Sequence, residues 1–333
     1  MELKTITMTE LLDNVYELRT PIIENLLYAG LYIFAGPPKV GKSFMVAQIG
    51  YHISMGEPLW DMGVSEGTVL YLALEDVEGR IQQRVAKMYP KYKNNDKLHF
   101  ATESDMLNKG LINQLNEFVK KYSDIKLIVI DTLQKIKDND SGSSNYSNDY
   151  DVIGKLKKFA DDHNVCVLVV HHTRKQESND SFDMISGTQG LLGAADGALV
   201  ISKERRTSNK AWLEITSRDQ QDMKLELEME RSTCLWKLVR IENELWKEPE
   251  DETLAVLNYF VEEQNGRWTG RASELLDEIS VQIENIYEEY TPNTFVRKLN
   301  VSATRLRTEY GIIYKNKRTN RGSKITLIKL ENE

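Results

Sequence analysis

The residues with the plainest chemistry lie between Leu31 and Gly50, in LYIFAGPPKVGKSFMVAQIG. Gly36, Gly41, Lys42 and Ser43 fit the pattern GxxxxGK[ST], after an apolar run expected to be a strand and before a run expected to be a helix. That is the context a phosphate-binding loop requires. Glycines let the backbone curl until successive N–H groups converge on phosphate oxygens, and the following helix aims its positive end at the same place. Gly36, Pro37, Pro38, Lys39, Val40, Gly41, Lys42, Ser43 and Phe44 are therefore expected to wrap the phosphates of ATP. Lys42 would reach the β- and γ-phosphates as a point charge, and Ser43 would give its hydroxyl to Mg²⁺.

Further candidates stand at the ends of other apolar runs. Asp131 closes LIVID, the position expected of a carboxylate holding the Mg²⁺ shell opposite the phosphate loop. Glu75 ends LYLALE, from where a carboxylate could orient and deprotonate the water that attacks the γ-phosphate. Asp76 is its rival, and because side chains alternate along a strand only one of the two is expected to face the nucleotide. His171 and His172 follow VCVLVV, with one expected to point at the site as a sensor of the γ-phosphate. No Cys or acidic residue stands at ligand spacing from them, which argues against a metal site. Arg218, in EITSRDQ, is a candidate arginine finger supplied to a neighbouring copy, or else a surface arginine paired with Asp219. Lys203, Arg205 and Arg206 are further candidates for that charge.

The elements that must position these residues alternate. GTVLYLALED, KLHFAT, KLIVIDTL and NVCVLVVHHTRK are expected strands, and VEGRIQQRVAKMYP, MLNKGLINQLNEFVKKYS and NDYDVIGKLKKFADDH expected helices, with PIIENLLYAG a short helix before the first strand. Strands alternating with helices imply an α/β fold, a mostly parallel sheet covered on both faces. From Ala198, ALVISKERR, KAWLEITSRD, MKLELEME and CLWKLVR read as antiparallel strands extending that sheet. DNDSGSSNYSN and KQESNDSFDMISGTQG follow strand C-termini, where open α/β sheets bind ligands, and neither is notably basic.

With 333 residues and 41% apolar content the chain fits a large and a small globular domain. No apolar run is long enough to span a bilayer and MELKTITMTELLDN lacks the form of a secretion signal, so a cytoplasmic protein without a membrane partner is expected. Cys166 and Cys234 are assigned no chemistry.

The boundaries read as an ATPase domain over 1–242, a linker over 243–252 and a small domain over 253–333. In the last, TLAVLNYFVEE and RASELLDEIS are expected helices, TPNTFVRKLNVSATRLRTEYG a Pro-led helical stretch, and IIYKNKRTNRGSKITLIKL two strands joined by a basic turn. Helices followed by such a hairpin resemble a winged helix-turn-helix. The net charge of −8 hides a segregation: 251–291 holds ten acidic and two basic residues, 292–330 ten basic and one acidic. Arg297, Lys298, Arg305 and Arg307 on the helix, with Lys317, Arg318, Arg321 and Lys324 on the wing, are the expected DNA contacts.

GPPKVGKS, LALED, LIVIDTL, VVHHTRK, SGTQG and TSRD, in this order, resemble the RecA-type ATPases of the plasmid RepA hexameric helicase branch, related to the replicative helicase DnaB. The resemblance covers roughly residues 20–240. It implies a RecA-like core in a ring of six subunits with ATP between neighbours, Glu75 as catalytic base, His172 as γ-phosphate sensor, Arg218 as the finger from the adjacent subunit, and two loops facing a channel for single-stranded DNA. The function expected is a DNA helicase for replication of a plasmid, phage or other mobile element, with the winged module on duplex or forked DNA. The alternatives are an ATP-switched DNA-binding regulator and a recombination mediator.

Overall fold

A computed structural model describes all residues except 1–2, 17–18, 20, 92, 138–144, 174–179, 186–188, 219, 243–248, 284, 320–321 and 331–333, with the backbone alone described at 145–149, 189–190 and 319. The chain divides into two compact units, Arg19–Trp246 and a second made of Met1–Leu18 with Lys247–Glu333.

In the larger unit, strands whose residues are apolar on both faces stack side by side: β1 (Gly30–Gly36), β2 (Thr68–Ala73), β3 (Leu98–Ala101), β4 (Ile125–Asp131), β5 (Cys166–His172) and β6 (Gly197–Ser202). They are parallel to one another. β7 (Lys210–Ser217), β8 (Met223–Met229) and β9 (Trp236–Ile241) add in antiparallel sense, giving the order β9-β8-β7-β6-β1-β5-β4-β2-β3. Continuous Val/Ile/Leu runs are what a parallel sheet buried on both faces requires. Helix α1 (Lys42–Met55) covers one face, its Met45, Val46 and Ile49 packed with Tyr32 and Phe34. On the other face Ile153 and Leu156 of α4 (Asn145–His163) pack with Leu31 and Ile33. Between them in sequence run α2 (Glu78–Met88) and α3 (Ile112–Lys121).

Several expectations for this unit change. PIIENLLYAG is a two-stranded hairpin, Pro21–Ile23 with Leu27–Tyr28, turning at Asn25 with φ 56°. Its apolar residues Ile22, Ile23, Leu26 and Leu27 are all buried, so they serve the core without a helical face. MLNKGLINQLNEFVKKYS is broken at Gly110, whose φ of 145° no helix accommodates. ALVISKERR, expected to be antiparallel, pairs in parallel with β1 because the short helix Gln189–Ala194 returns the chain to the same end of the sheet.

The smaller unit runs α5 (Glu252–Glu263), β10 (Arg267–Arg271), α6 (Ala272–Ile279), α7 (Pro292–Val301), α8 (Ala303–Tyr310), β11 (Ile312–Thr319) and β12 (Gly322–Lys329), with sheet order β10-β12-β11. Strand β10 has no counterpart in the expected elements: five residues, RWTGR, stand in ladder with β12, and only the last, Arg271, falls within the expected helix RASELLDEIS. The Pro-led stretch breaks at the buried Ser302 into two helices and ends at Gly311 in left-handed conformation. One face of the sheet and the helices bury Leu257, Phe260, Leu276, Phe295, Leu299, Tyr314 and Leu327. The N-terminal residues, expected with the ATPase core, belong here. Helix Met8–Asp13 starts with a capping box between Thr7 and Glu10, and the buried Asn300 donates to the Leu12 carbonyl at 3.0 Å. Among the described residues no helix is long and apolar enough to cross a membrane.

Candidate functional site

The phosphate loop takes its shape from the antiparallel extension as much as from its own glycines. At Gly36, the last residue of β1, a Cβ would lie 2.7 Å from the Ile201 carbonyl oxygen. At Gly41, with φ 112°, it would lie 2.7 Å from Met229 Cε and 2.9 Å from Trp236 Cζ2. The loop is thus pressed between α1 and strands β6, β8 and β9, and glycine is required at both ends. Gly41 caps α1 without a side-chain bond, which leaves the amides of the first turn to the loop concavity.

Lys42 is buried beneath this loop. Its ammonium donates to the carbonyls of Gly36 at 2.7 Å and Pro37 at 3.0 Å, and lies 3.4 Å from His172 Nδ1. Burial pushes its pKa down to about 8, against the attraction of Asp131 and Glu75. An ammonium can only donate, so Nδ1 of His172 accepts and the ring proton sits on Nε2. Burial and then the Lys42 charge hold the imidazole pKa below its ordinary value, which favours the neutral ring. His171, one residue earlier, is buried on the opposite side of β5.

Asp131, at the end of β4, accepts on one oxygen from Ser43 Oγ at 3.2 Å and from the Tyr71 hydroxyl at 2.8 Å. Burial raises its pKa, while the bonds from Tyr71 and Ser43 pull it down. A hydroxyl beside a carboxylate is a hard-oxygen donor pair that fits Mg²⁺, whose remaining ligands would be phosphate oxygens and water. No cluster of three or more His, Cys, Asp or Glu suited to a metal occurs among the described residues, so the protein by itself offers only this partial shell.

Beyond the end of β2, Glu75 and Asp76 separate. Glu75 is exposed at the site, its carboxylate accepting from Thr132 Oγ1 at 3.2 Å. Asp76 is turned to α2, bound to Arg84 at 2.5 Å and Arg80 at 3.2 Å. The two guanidiniums occupy the rival carboxylate, while Glu75 makes no ion pair among the described residues.

A cavity of about 350 Å³ adjoins the loop, lined by Pro37, Pro38, Lys39, Val40, Lys203 and Arg206. Lys203, its pKa lowered by burial, stands 5.2 Å over the ring of Trp236. Gln48 of α1 brackets the Trp236 backbone, donating to its carbonyl at 2.9 Å and accepting from its N–H at 2.8 Å. Neither Trp236 nor Tyr71 was singled out from sequence. The one available signal was a bulky polar-tipped aromatic in a run otherwise suited to aliphatics.

Arg218 is not brought to this site. Ser217 pairs with Gly197 at the start of β6, so Arg218 lies at the end of the sheet remote from the phosphate loop, where it donates to the Gly193 carbonyl at 2.8 Å. Asp219, its alternative partner, lies outside the described residues. The residues expected to contact DNA fall into two groups. Arg297 and Arg318 share Asp13 at 2.8 and 3.3 Å, Lys298 is bound to Asp251, and Arg305 is clamped by Glu309 at 2.8 Å. Arg307, Lys317 and Lys324 are exposed, and Arg321 lies outside the described residues, as do 138–144 of the first expected channel loop and 175–179 and 186–188 of the second.

Over residues 2–178, more than half its length, the chain matches the family described as AAA domain. No curated protein matches it in sequence. Among solved structures, the ATPase domain of another protein is similar with a TM-score of 0.53 at 13% identity, over 64% of this chain and 85% of that one. A DnaB-like replicative helicase, solved for its interactions with primase, is similar with a TM-score of 0.51 at 12% identity, over 63% of this chain and 58% of that one. At such identities the likeness is one of fold, a RecA-like sheet with its phosphate loop. The chain belongs to the AAA-domain family and is an ATPase.

Proposed function

We propose that this ATPase is a DNA motor, a ring helicase of the plasmid RepA branch serving a plasmid, phage or other mobile element. The observation that carries the reading is the meeting of Lys42, Ser43, Asp131, His172 and Glu75, whose carboxylate accepts from Thr132 and makes no ion pair among the described residues, at the C-terminal ends of four adjacent parallel strands or in the turns after them. A protein that used ATP only as a switch has no need of a carboxylate kept out of ion pairs there. In this reading Lys42 holds the β- and γ-phosphates, Ser43 and Asp131 hold Mg²⁺, Glu75 takes the proton of the attacking water, and His172 Nε2–H reports the γ-phosphate to the segment that follows it. Bound Mg²⁺ would supply charge neutralisation on the phosphates.

The remaining cation comes from a neighbouring copy in a six-membered ring. Arg218 is kept as its source, since it lies at the end of the sheet remote from this chain's own phosphate loop, while Lys203 and Arg206 line that loop and would act within the same chain. The smaller unit is read as a winged helix-turn-helix from its order of helix, strand, a run of helices and hairpin, with β12 central in the sheet.

The test is ATP hydrolysis and strand displacement on forks with 5′ or 3′ tails. DNA-stimulated hydrolysis with displacement is expected. Stimulation without displacement would replace the motor by an ATP-switched DNA-binding regulator. Mixing Arg218→Ala with Glu75→Gln subunits is expected to recover part of the turnover through mixed interfaces, and no recovery at any ratio would remove Arg218 as the finger.

A further inference from the structure

We infer that the outer face of the β10-β12-β11 sheet is a sequence-independent binding surface for the phosphate backbone of DNA. This rests on the reading of DNA as partner and replaces the helical face as the place where it is held.

Alternation along the strands sorts the side chains. Ile312, Tyr314, Ile325 and Leu327 are buried against the helices, and the residues between them point outward. That outward set contains Arg267 and Arg271 on β10, Lys315 and Lys317 on β11, and Lys324 on β12, all exposed. Register places three of them in one row: Arg271 opposite Lys324, and Lys324 opposite Lys317. In the next row Thr269 and Thr326 touch through their hydroxyls at 3.2 Å, with Lys315 beyond Thr326. No acidic residue occupies the outward positions of these strands, and none of the five cations makes an ion pair among the described residues.

Like charges directly across a ladder destabilise it. A fold that sets three abreast, while the chain as a whole carries −8, keeps a repulsion that a bound polyanion would relieve. The helical cations differ in this respect: Arg297, Lys298 and Arg305 are each already matched to a carboxylate of the same unit, so using them for phosphate would first break that pair.

The chemistry of the face selects the partner. Lys315 and Lys317 are about 7 Å apart, and the row of three spans about 10 Å, spacings set by strand rise and strand separation. That is the scale on which successive phosphates of a nucleic-acid strand recur. The outward set has no aromatic ring to stack on bases and no Asn or Gln to read their edges, so contact is with the backbone alone. Its two large apolar side chains, Ile313 and Ile328 in the row of Arg267, are both half-buried. No exposed apolar side chain therefore stands among the cations to enter a lipid surface, which sets the face apart from an interfacial membrane anchor.

The experiment measures DNA binding by the full chain in three forms, using fluorescence anisotropy with two duplexes of unrelated sequence across a salt series. Arg267→Ser/Arg271→Ser/Lys315→Ser removes three outward cations that lie away from the hairpin tip. Arg305→Ser/Arg307→Ser removes two helical ones, and thermal melting checks that both variants fold. The sheet variant is expected to bind at least tenfold more weakly to both duplexes, with the log–log salt slope shallower by about 2.7, from about 0.9 per phosphate contact. The helical variant is expected to change affinity less than threefold. If the wild type binds DNA and the sheet variant binds equally well, this surface is refuted and the DNA reading stands. If the wild type binds no DNA even at low salt, both fall, and binding to vesicles rich in anionic lipid would then assign the face to a membrane surface.

Discussion

At the end of β1 a single ammonium, Lys42, is buried, bonded to two carbonyls and enclosed by a backbone that only glycine can form. On the outer face of β10, β12 and β11, five cations stand in water with no built cavity around them. Both present positive charge to phosphate, but the first does so by geometry and the second by charge density. The difference teaches what each can discriminate. A buried donor of fixed direction distinguishes one phosphate from the next, as hydrolysis requires, whereas solvated lysines and arginines hold a polyanion in many registers, as a moving strand requires.

Removing the single buried charge gives the largest effect. Lys42→Ala is expected to lower kcat/KM for ATP by about a thousandfold, at the upper end for loss of one preorganised charge, measured by steady-state hydrolysis. A loss of tenfold or less would mean that Lys42 is not the group that organises the phosphates. Salt separates the two regions next. Between 50 and 200 mM, five phosphate contacts are expected to weaken DNA binding a few hundredfold. The KM for ATP should move only severalfold, and an equal response of both would abolish the contrast.

A smaller effect tests how the loop is held. Trp236→Phe keeps the aromatic bulk under Gly41 but loses volume and the indole N–H that points at the Gly41 carbonyl at 3.4 Å. It is expected to destabilise the larger unit by about 1–2 kcal/mol in chemical denaturation and to raise the KM for ATP. The smallest concerns Asp13, whose carboxyl the hydrogen bond from Arg297 holds below its ordinary pKa. A depressed folded-state pKa means that the contact contributes fully above the ordinary carboxylate range and is lost as pH falls through the lowered value. Carboxyl NMR should show Asp13 titrating below the exposed aspartates, and Arg297→Ser should raise it toward their range, with Arg318 still holding part of the shift.

How much was legible in the sequence follows from the range of the interactions. The parallel core could be read because strands buried on both faces must be continuous apolar runs, and the phosphate loop because its chemistry is local. Asp131 and His172 were picked out by their place at strand ends, and the structure sets them beside Ser43 and Lys42 respectively. Glu75 was preferred to Asp76 on strand alternation, with no local sign of the ion pairs that Asp76 makes with Arg84, eight residues beyond it on another element, and with Arg80. Trp236 contacts Gly41 and Gln48 across almost two hundred residues, a pairing that no local pattern encodes. Strand β10 was hidden for the same reason: RWTGR is a strand only because β12 lies beside it. Charge counting found the basic segment but could not tell which cations had partners, since Asp13, which engages Arg297 and Arg318, comes from the other end of the chain.

The most direct measurement of the central claim is ATP binding and turnover by the full chain and by Glu75→Gln, each with and without DNA. The account predicts that DNA stimulates the wild type, and that Glu75→Gln binds ATP with unchanged affinity while its kcat falls by about 10²–10⁴-fold, the range for loss of a general base. Turnover by Glu75→Gln at the wild-type rate would contradict it.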